Sequence, residues 1–292
     1  TFLEYGKETI GSGMIYSGLY NSISSVNNLN EFNMAEKITK SLNPAYGSIQ
    51  ALKTRDTDVV VFTEDKVLKV LSNKDAVFNA DGNAQLTATN RVLGQAIPFV
   101  GDYGISKNPE SLASDQYRIY FADKQRGAIL RLSNDGLTPI SNVGMRGYFR
   151  EHLKLCDTII GNFDIVNGEY NVTLNVAANN QTAEDQPITA SFNEGSKGWI
   201  SFKSFIPTSG ASVNGKYFTT YDNGVYEHYS NNVNRNTFYG QSLVPSEIEV
   251  VFNDMPGIVK SFKTINYEGS QAKIDQFTSV VQDGNIWTDG EY

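Results

Sequence analysis

Cysteine is almost absent from this 292-residue chain. Cys156 stands alone, so no intramolecular disulfide can form, and a cysteine-based zinc site is implausible. Its neighbours Leu153 and Leu155 point to an inert buried thiol. Histidine is nearly as scarce. Any Ser-His-Asp or Cys-His arrangement would have to use His152 or His228, and no G-x-S-x-G elbow supplies a serine. No histidine spacing suits a metal, so both read as structural. Calcium-loop, phosphate-loop and dinucleotide signatures are missing, and Gly11-Ser12-Gly13 lacks a third glycine, so no metal and no cofactor is expected. No apolar run reaches the roughly 18 residues of a membrane span, and no charged-then-apolar leader is visible. Long runs of one charge are also absent. The 24 basic residues are outnumbered by 32 acidic ones, a net of −8. Without a basic track for phosphates, direct nucleic-acid binding is not expected.

Aromatic residues are abundant. Sixteen Tyr and sixteen Phe favour strands and large packed contacts. The chain is long enough to bury about 75 % of its unfolded surface without staples. Its clearest unit is DQYRIYFADKQRGAILRLSNDGLTPIS at 115–141. Tyr117–Ala122 reads as a strand, and Asp123–Gly127 as a turn. Ala128–Leu132 reads as a second strand, with Ile129 and Arg131 facing away from Leu130 and Leu132. Asn134-Asp135-Gly136 turns into a third strand at Leu137. This antiparallel meander is the unit of propeller blades and sandwiches. A strand ending on an aromatic, an acid or amide close behind, and a return strand recur around Phe62, Phe121, Phe163, Phe192, Tyr221 and Phe252. Their spacings of 59, 42, 29, 29 and 31 residues are too irregular for a textual repeat. The fold class expected is mainly β, antiparallel hairpins and meanders in a propeller-like arrangement, with a few short helices.

In chain order, residues 1–47 form a lead-in with one helix. Phe32, Ala35, Ile38 and Leu42 recur at helical spacing behind Asn30, and Asn43-Pro44 stops the pattern. Residues 48–269 form the propeller-like all-β domain. A long connection at 73–115 interrupts it and suits a functional or interaction segment. A helical bridge at 144–155 carries Tyr148, Phe149, His152 and Leu155 at helical spacing. Residues 270–292 begin a further segment. The first residue is Thr, so the chain is expected to be a piece of a longer polypeptide.

The acids behind the marker aromatics, Glu64/Asp65, Asp123, Asp164, Asp222 and Asp254, are the best enzymatic candidates, because glycoside hydrolysis needs only two carboxylates. Acids beside Gly or Asn are also what hairpin turns use for local hydrogen bonds, and their repetition favours that role. The segments Ser133–Pro139 and Gln282–Gly290 resemble the Asp-box of sialidase-type propellers, but their Asp and Gly are adjacent where the box has an intervening residue. The cluster Tyr217, Phe218, Tyr221, Tyr226 and Tyr229 suits a cross-strand ladder, an oligomer contact or a sugar platform. Asn171-Val172-Thr173 and Asn180-Gln181-Thr182 match the glycosylation sequon, which has no meaning without secretion.

Five longer phrases go further. They begin GLYNSISSVNNLNEF at Gly18, FNADGNAQLTATNRV at Phe78, YRIYFADKQRGAILRL at Tyr117, GWISFKSFIP at Gly198 and EVVFNDMPGIVKSF at Glu249. Together they resemble the large structural tail proteins of tailed bacteriophages, and among them the muzzle proteins of crAss-like phages. The resemblance implies a virion component at the distal end of the tail, made in the bacterial host cytoplasm. It implies ring-forming copies of the chain beside other tail proteins, and no enzymatic activity. No catalytic residues come with that family, so none are assigned. The rival readings are a tail-associated glycan-binding module and a propeller glycosidase.

Overall fold

In the computed structural model the described residues are 6, 8–18, 20–33, 35, 38–56, 58–78, 84–182, 185–242, 245, 247, 255–261, 263, 280–282 and 285–287. The chain divides into two compact units, Thr1–Val244 and Pro245–Tyr292.

The first unit opens with β1 (Gly13–Ile15), β2 (Tyr20–Asn21), β3 (Val26–Asn27) and β4 (Thr39–Ser41). Here the sequence misleads. The helix expected across Phe32–Leu42 is replaced, among the described residues, by turns and by β4, which pairs antiparallel with β1 through Met14↔Lys40. Backbone bonds from Tyr16 N to Ile38 O and from Leu42 N to Ser12 O extend that ladder. Phe32 is 52 % exposed and Leu42 is 5 % exposed, so only one end of the supposed apolar stripe is core. A partner about 25 residues away satisfies the backbone and overrides the local period. Asn43-Pro44 does punctuate the chain: the Asn43 side chain accepts from Ala45 N (3.0 Å) and caps a 3₁₀ turn at Pro44–Tyr46.

Four antiparallel meanders follow in order. Sheet I is β5 (Ile49–Arg55), β6 (Asp58–Thr63), β7 (Val67–Phe78) and β8 (Ala84–Pro98). Sheet II is β9 (Ala113–Ser114), β10 (Ile119–Asp123), β11 (Ala128–Ser133) and β12 (Gly136–Pro139). The single described α-helix, α1 (Arg146–Leu155), lies within the segment where spacing predicts one. Sheet III is β13 (Cys156–Asp164), β14 (Glu169–Val176), β15 (Ile188–Asn193) and β16 (Gly198–Lys203). Sheet IV has three strands, β17 (Ser209–Val213), β18 (Lys216–Tyr221) and β19 (Gly224–Glu227). In the second unit the described strands β20 (Val280–Gln282) and β21 (Asn285–Trp287) pair as a hairpin. The expected boundary at 269/270 falls outside the described residues. The chain is thus mainly β and antiparallel, as its patterning predicts.

Strand alternation decides how the sheets stack. On sheet II, Phe121, Leu130 and Leu132 meet Val60, Phe62 and Val67 of sheet I. The Phe62 and Phe121 rings meet edge to face at 5.1 Å. The opposite face sends Tyr120, Ala122 and Ile129 against Phe149 and Leu153 of α1 and against Ile159, Tyr170 and Val172 of sheet III. Sheet II is therefore covered on both faces, which is why its strands read as near-continuous apolar runs. Tyr120 stacks on Tyr170 at 4.8 Å, and its hydroxyl donates to Glu194 (2.7 Å). Arg131 Nη1 reaches the same carboxylate at 2.8 Å, closing sheet II onto sheet III.

Sheet III turns a different face to sheet IV. In EYNVTLNV, Tyr170, Val172 and Leu174 point into the apolar core, so Asn171 and Thr173 point the other way. Both are fully buried. Thr173 and Thr189 share a hydrogen bond of 2.8 Å, Ser191 Oγ donates to Asn171 Oδ1 (2.6 Å), and Lys203 Nζ reaches Glu169 (2.5 Å). The two sheets are joined by Ser212 Oγ donating to Phe163 O (2.6 Å) and Asn171 Nδ2 donating to Tyr217 Oη (3.4 Å). This polar layer is buried because its groups pair with one another.

Candidate functional site

Several of the hairpin acids are held by donors from their own turns and from neighbouring segments. Asp123 is fully buried at the end of β10. Its carboxylate accepts from Gly104 N (3.1 Å), Ser106 Oγ (2.9 Å), Arg126 N (3.1 Å) and Arg126 Nη1 (3.0 Å). Asp164 accepts from Val166 N (2.9 Å), Asn167 N (3.4 Å) and Tyr229 Oη (2.5 Å). The Tyr229 hydroxyl is pushed up by burial and by that carboxylate. Glu64 accepts from Ser48 Oγ (2.5 Å) and Ser48 N (3.1 Å), and these bonds hold its carboxyl below the usual range. Asp65 pairs with Arg126 at 3.3 Å. Asp222 and Asn223 take positive φ (42° and 63°) in the two-residue turn between β18 and β19. Asp254 and the marker Phe252 lie outside the described residues. The geometry closes turns and ties one sheet to the next.

The other sequence candidates are distributed likewise. His152 stacks on Tyr148 (3.9 Å) and lies 3.4 Å from Asp185. His228 sits among Phe205 (4.9 Å), Tyr217 (4.7 Å) and the Thr219 hydroxyl (2.6 Å). Of the Tyr217–Tyr229 cluster, Tyr217 is buried, and Tyr221 and Tyr226 gather instead around Tyr239, at 4.6 and 4.9 Å. Sequence spacing alone did not bring in Tyr239, which arrives from the irregular chain after β19. Asn171 of the first sequon is fully buried and engaged, so no glycan could reach it as folded. Of the two Asp-box-like segments, Ser133–Pro139 forms the β11–β12 turn with Gly136 at φ +95°, and Gln282–Gly290 lies largely outside the described residues. Among the described residues no group of three or more His, Cys, Asp or Glu could hold a metal. No described helix is long and apolar enough to cross a membrane.

Burial above all, against the pull of Asp164 and with help from Lys203, lowers the His228 pKa to about 4. A histidine in the unfolded chain takes up its proton near pH 6.5, before the folded one can. Stability contributed by neutral His228 is therefore complete above pH 6.5 and lost as pH falls through 4. The loss is on the order of 2 kcal/mol, discounted for the ring's partial exposure. Urea unfolding at pH 7 and pH 5 should show the drop, and His228→Phe should flatten it. Burial likewise pushes the Cys156 thiol up to about 12, and Cys156 Sγ donates to His152 O (3.2 Å). An aromatic disulfide reagent should leave it unmodified at pH 8 in the native protein and titrate it fully in urea.

The long connection expected at 73–115 is a correction: much of it is β-structure. β7 and β8 form a hairpin that outruns its sheet. β6 pairs with β7 only from Val59↔Val70 to Phe62↔Val67, whereas β8 pairs with β7 as far as Phe78↔Ala84. The stretch beyond Val70 is roughly 25 Å of two-stranded ribbon. At its root Ser72 faces Leu93 and Lys74 faces Ala88, so five residues of β8 span two of β7. Asn73 takes φ +55° opposite this bulge. Asp58, 4 % exposed, braces the root through Lys69 (3.0 Å), Lys74 (2.9 Å) and Ser72 N (3.3 Å). Burial alone would raise its pKa, but those bonds outweigh it and the carboxyl is lowered. A two-stranded ribbon is marginal by itself in water and leaves strand edges unpaired, which suits it to contact another surface.

Residues 233–290 match the family model of the Crassvirus muzzle protein C-terminal domain. That match supports the resemblance carried by the phrases between Gly18 and Gly269 and places this chain close to the muzzle proteins of crAss-like phages. A search of curated proteins finds no match.

Proposed function

We propose that this chain is a structural segment of a bacteriophage tail protein of the muzzle type, present in the virion and working by assembly rather than by catalysis. The observation that carries the reading is the family match at 233–290. The architecture is compatible with it. Consecutive antiparallel meanders, three of four strands and one of three, are what a propeller-like arrangement of blades would need. In this reading sheets I to IV are successive blades, and the β7–β8 ribbon contacts neighbouring copies in a ring or other tail proteins. The turn acids support assembly over glycoside hydrolysis, because Asp123 and Asp164 already accept hydrogen bonds from the chain around them.

Light scattering of the purified chain and mass spectrometry of virion bands test this. Ring-sized oligomers, and recovery from particles within a longer polypeptide, are the expected results. A stable monomer absent from particles would overturn the reading.

A further inference from the structure

A cleft of about 600 Å³ lies where three parts of the first unit converge. Ser106, Lys107 and Asn108 come from the segment after β8, which is tied to sheet I by Ile105 N to Thr63 O (3.0 Å) and Ser106 N to Glu64 O (3.0 Å). Lys124 and Gln125 come from the β10–β11 turn, and Lys154 and Asp157 come from the end of α1 and the start of β13. Three ammonium groups against one carboxylate give the lining two net positive charges, in a chain whose net charge is −8.

The lysines are not consumed by partners. Lys124 Nζ donates to Cys156 O (2.6 Å), which fixes the amine and leaves two of its protons free. Lys107 lies 3.9 Å from Glu64, a loose contact. A second observation is independent of charge. Asn108 is 8 % exposed and lines the cleft, and it makes no side-chain cap to the 3₁₀ turn that follows it. Among the described residues its amide has no hydrogen-bond partner.

We propose that this cleft binds a small hydroxylated anion, a sugar bearing a phosphate or a carboxylate. Its volume is that of a small-molecule site. Lysines act as point charges for the anionic group, Asn108 offers both a donor and an acceptor, and Asp157 can only accept, as from a ligand hydroxyl. The site does not depend on the assembly reading.

Calorimetric titration of the full chain at low salt with glucose 6-phosphate and with glucuronate, using glucose as the neutral control, tests the proposal. At least one anion should bind, glucose should not, and added salt should weaken the affinity. Lys107→Gln combined with Lys154→Gln should lower the affinity about tenfold or more. Both side chains are exposed, so an unchanged unfolding midpoint shows that the fold is intact. Binding of glucose 6-phosphate alone assigns a phosphate ligand, and binding of glucuronate alone assigns a carboxylate. Failure of both anions, equal binding of glucose, or full affinity in the double variant would overturn the proposal. So would binding of a single-stranded oligonucleotide through the same lysines when both sugars fail, which would assign the cleft to nucleic acid.

Discussion

Gly161→Ala should destabilise the first unit by about 3 kcal/mol or more, at the upper end of what overpacking costs. A Cβ at this position of β13 would stand 1.9 Å from Ser111 O and 2.6 Å from Ser111 C. Both are backbone atoms, so no side chain can swing aside. The same carbonyl accepts from Tyr170 Oη (2.9 Å), and Ser111 Oγ accepts from Ala122 N (3.0 Å), so moving Ser111 would disturb both sheets II and III. Gly147→Ala is the control. It lies near the start of α1 with nothing within 4 Å, and it should gain about 0.5–1 kcal/mol from helix propensity. Urea midpoints of the three proteins decide the matter. A Gly161→Ala midpoint equal to wild type would mean that sheets II and III are not seated as described.

Asp123→Ala should cost about 3–5 kcal/mol, because the buried donors Gly104 N and Ser106 Oγ each lose their acceptor at about 1–3 kcal/mol. Four donors converge on this carboxylate, and two of them, Gly104 N and Ser106 Oγ, belong to the chain arriving from sheet I. Their release would loosen the join between sheets I and II as well as the β10–β11 turn. Asp123→Asn keeps the shape but replaces one acceptor oxygen by a donor facing donors, so about 2 kcal/mol should still be lost. Arg126 sets a second test. Its side chain is 32 % exposed, and it also reaches Asp65, so Arg126→Met alone should cost less than Asp123→Ala. The double variant should be less destabilised than the sum of the single ones. Strict additivity, or an Asp123→Ala loss below about 1 kcal/mol, would remove Asp123 from its place at the join.

Sequence reading went furthest where contacts are local. The meander of 115–141 is legible because alternation, the DKQRG turn and the NDG turn act over a few residues, and β10, β11 and β12 follow them closely. Gly127 takes φ +65° where the turn requires it. The opposed faces of β11 were legible too, with Ile129 against sheet III and Leu130 and Leu132 against sheet I. The segment around α1 and the structural use of the turn acids could be anticipated from spacing and turn chemistry. The failures have two causes. The stripe from Phe32 to Leu42 reads as a helix until β1 offers a ladder. The 73–115 stretch reads as a connection because its β7–β8 pairing crosses a bulge that breaks strict alternation.

Other features exist only in the folded chain. Gly161 matters because Ser111, fifty residues earlier, presses a carbonyl against it. Tyr239 joins Tyr221 and Tyr226 from outside any strand. The lysine-lined cleft draws on three segments between Ser106 and Asp157. The sequence by itself determined strand periods, turn residues and the scarcity of cysteine and histidine, because these are set by composition and by neighbours along the chain. Which faces meet, which acids are buried and which lysines converge were decided by tertiary packing, because those contacts join residues that local periodicity cannot relate.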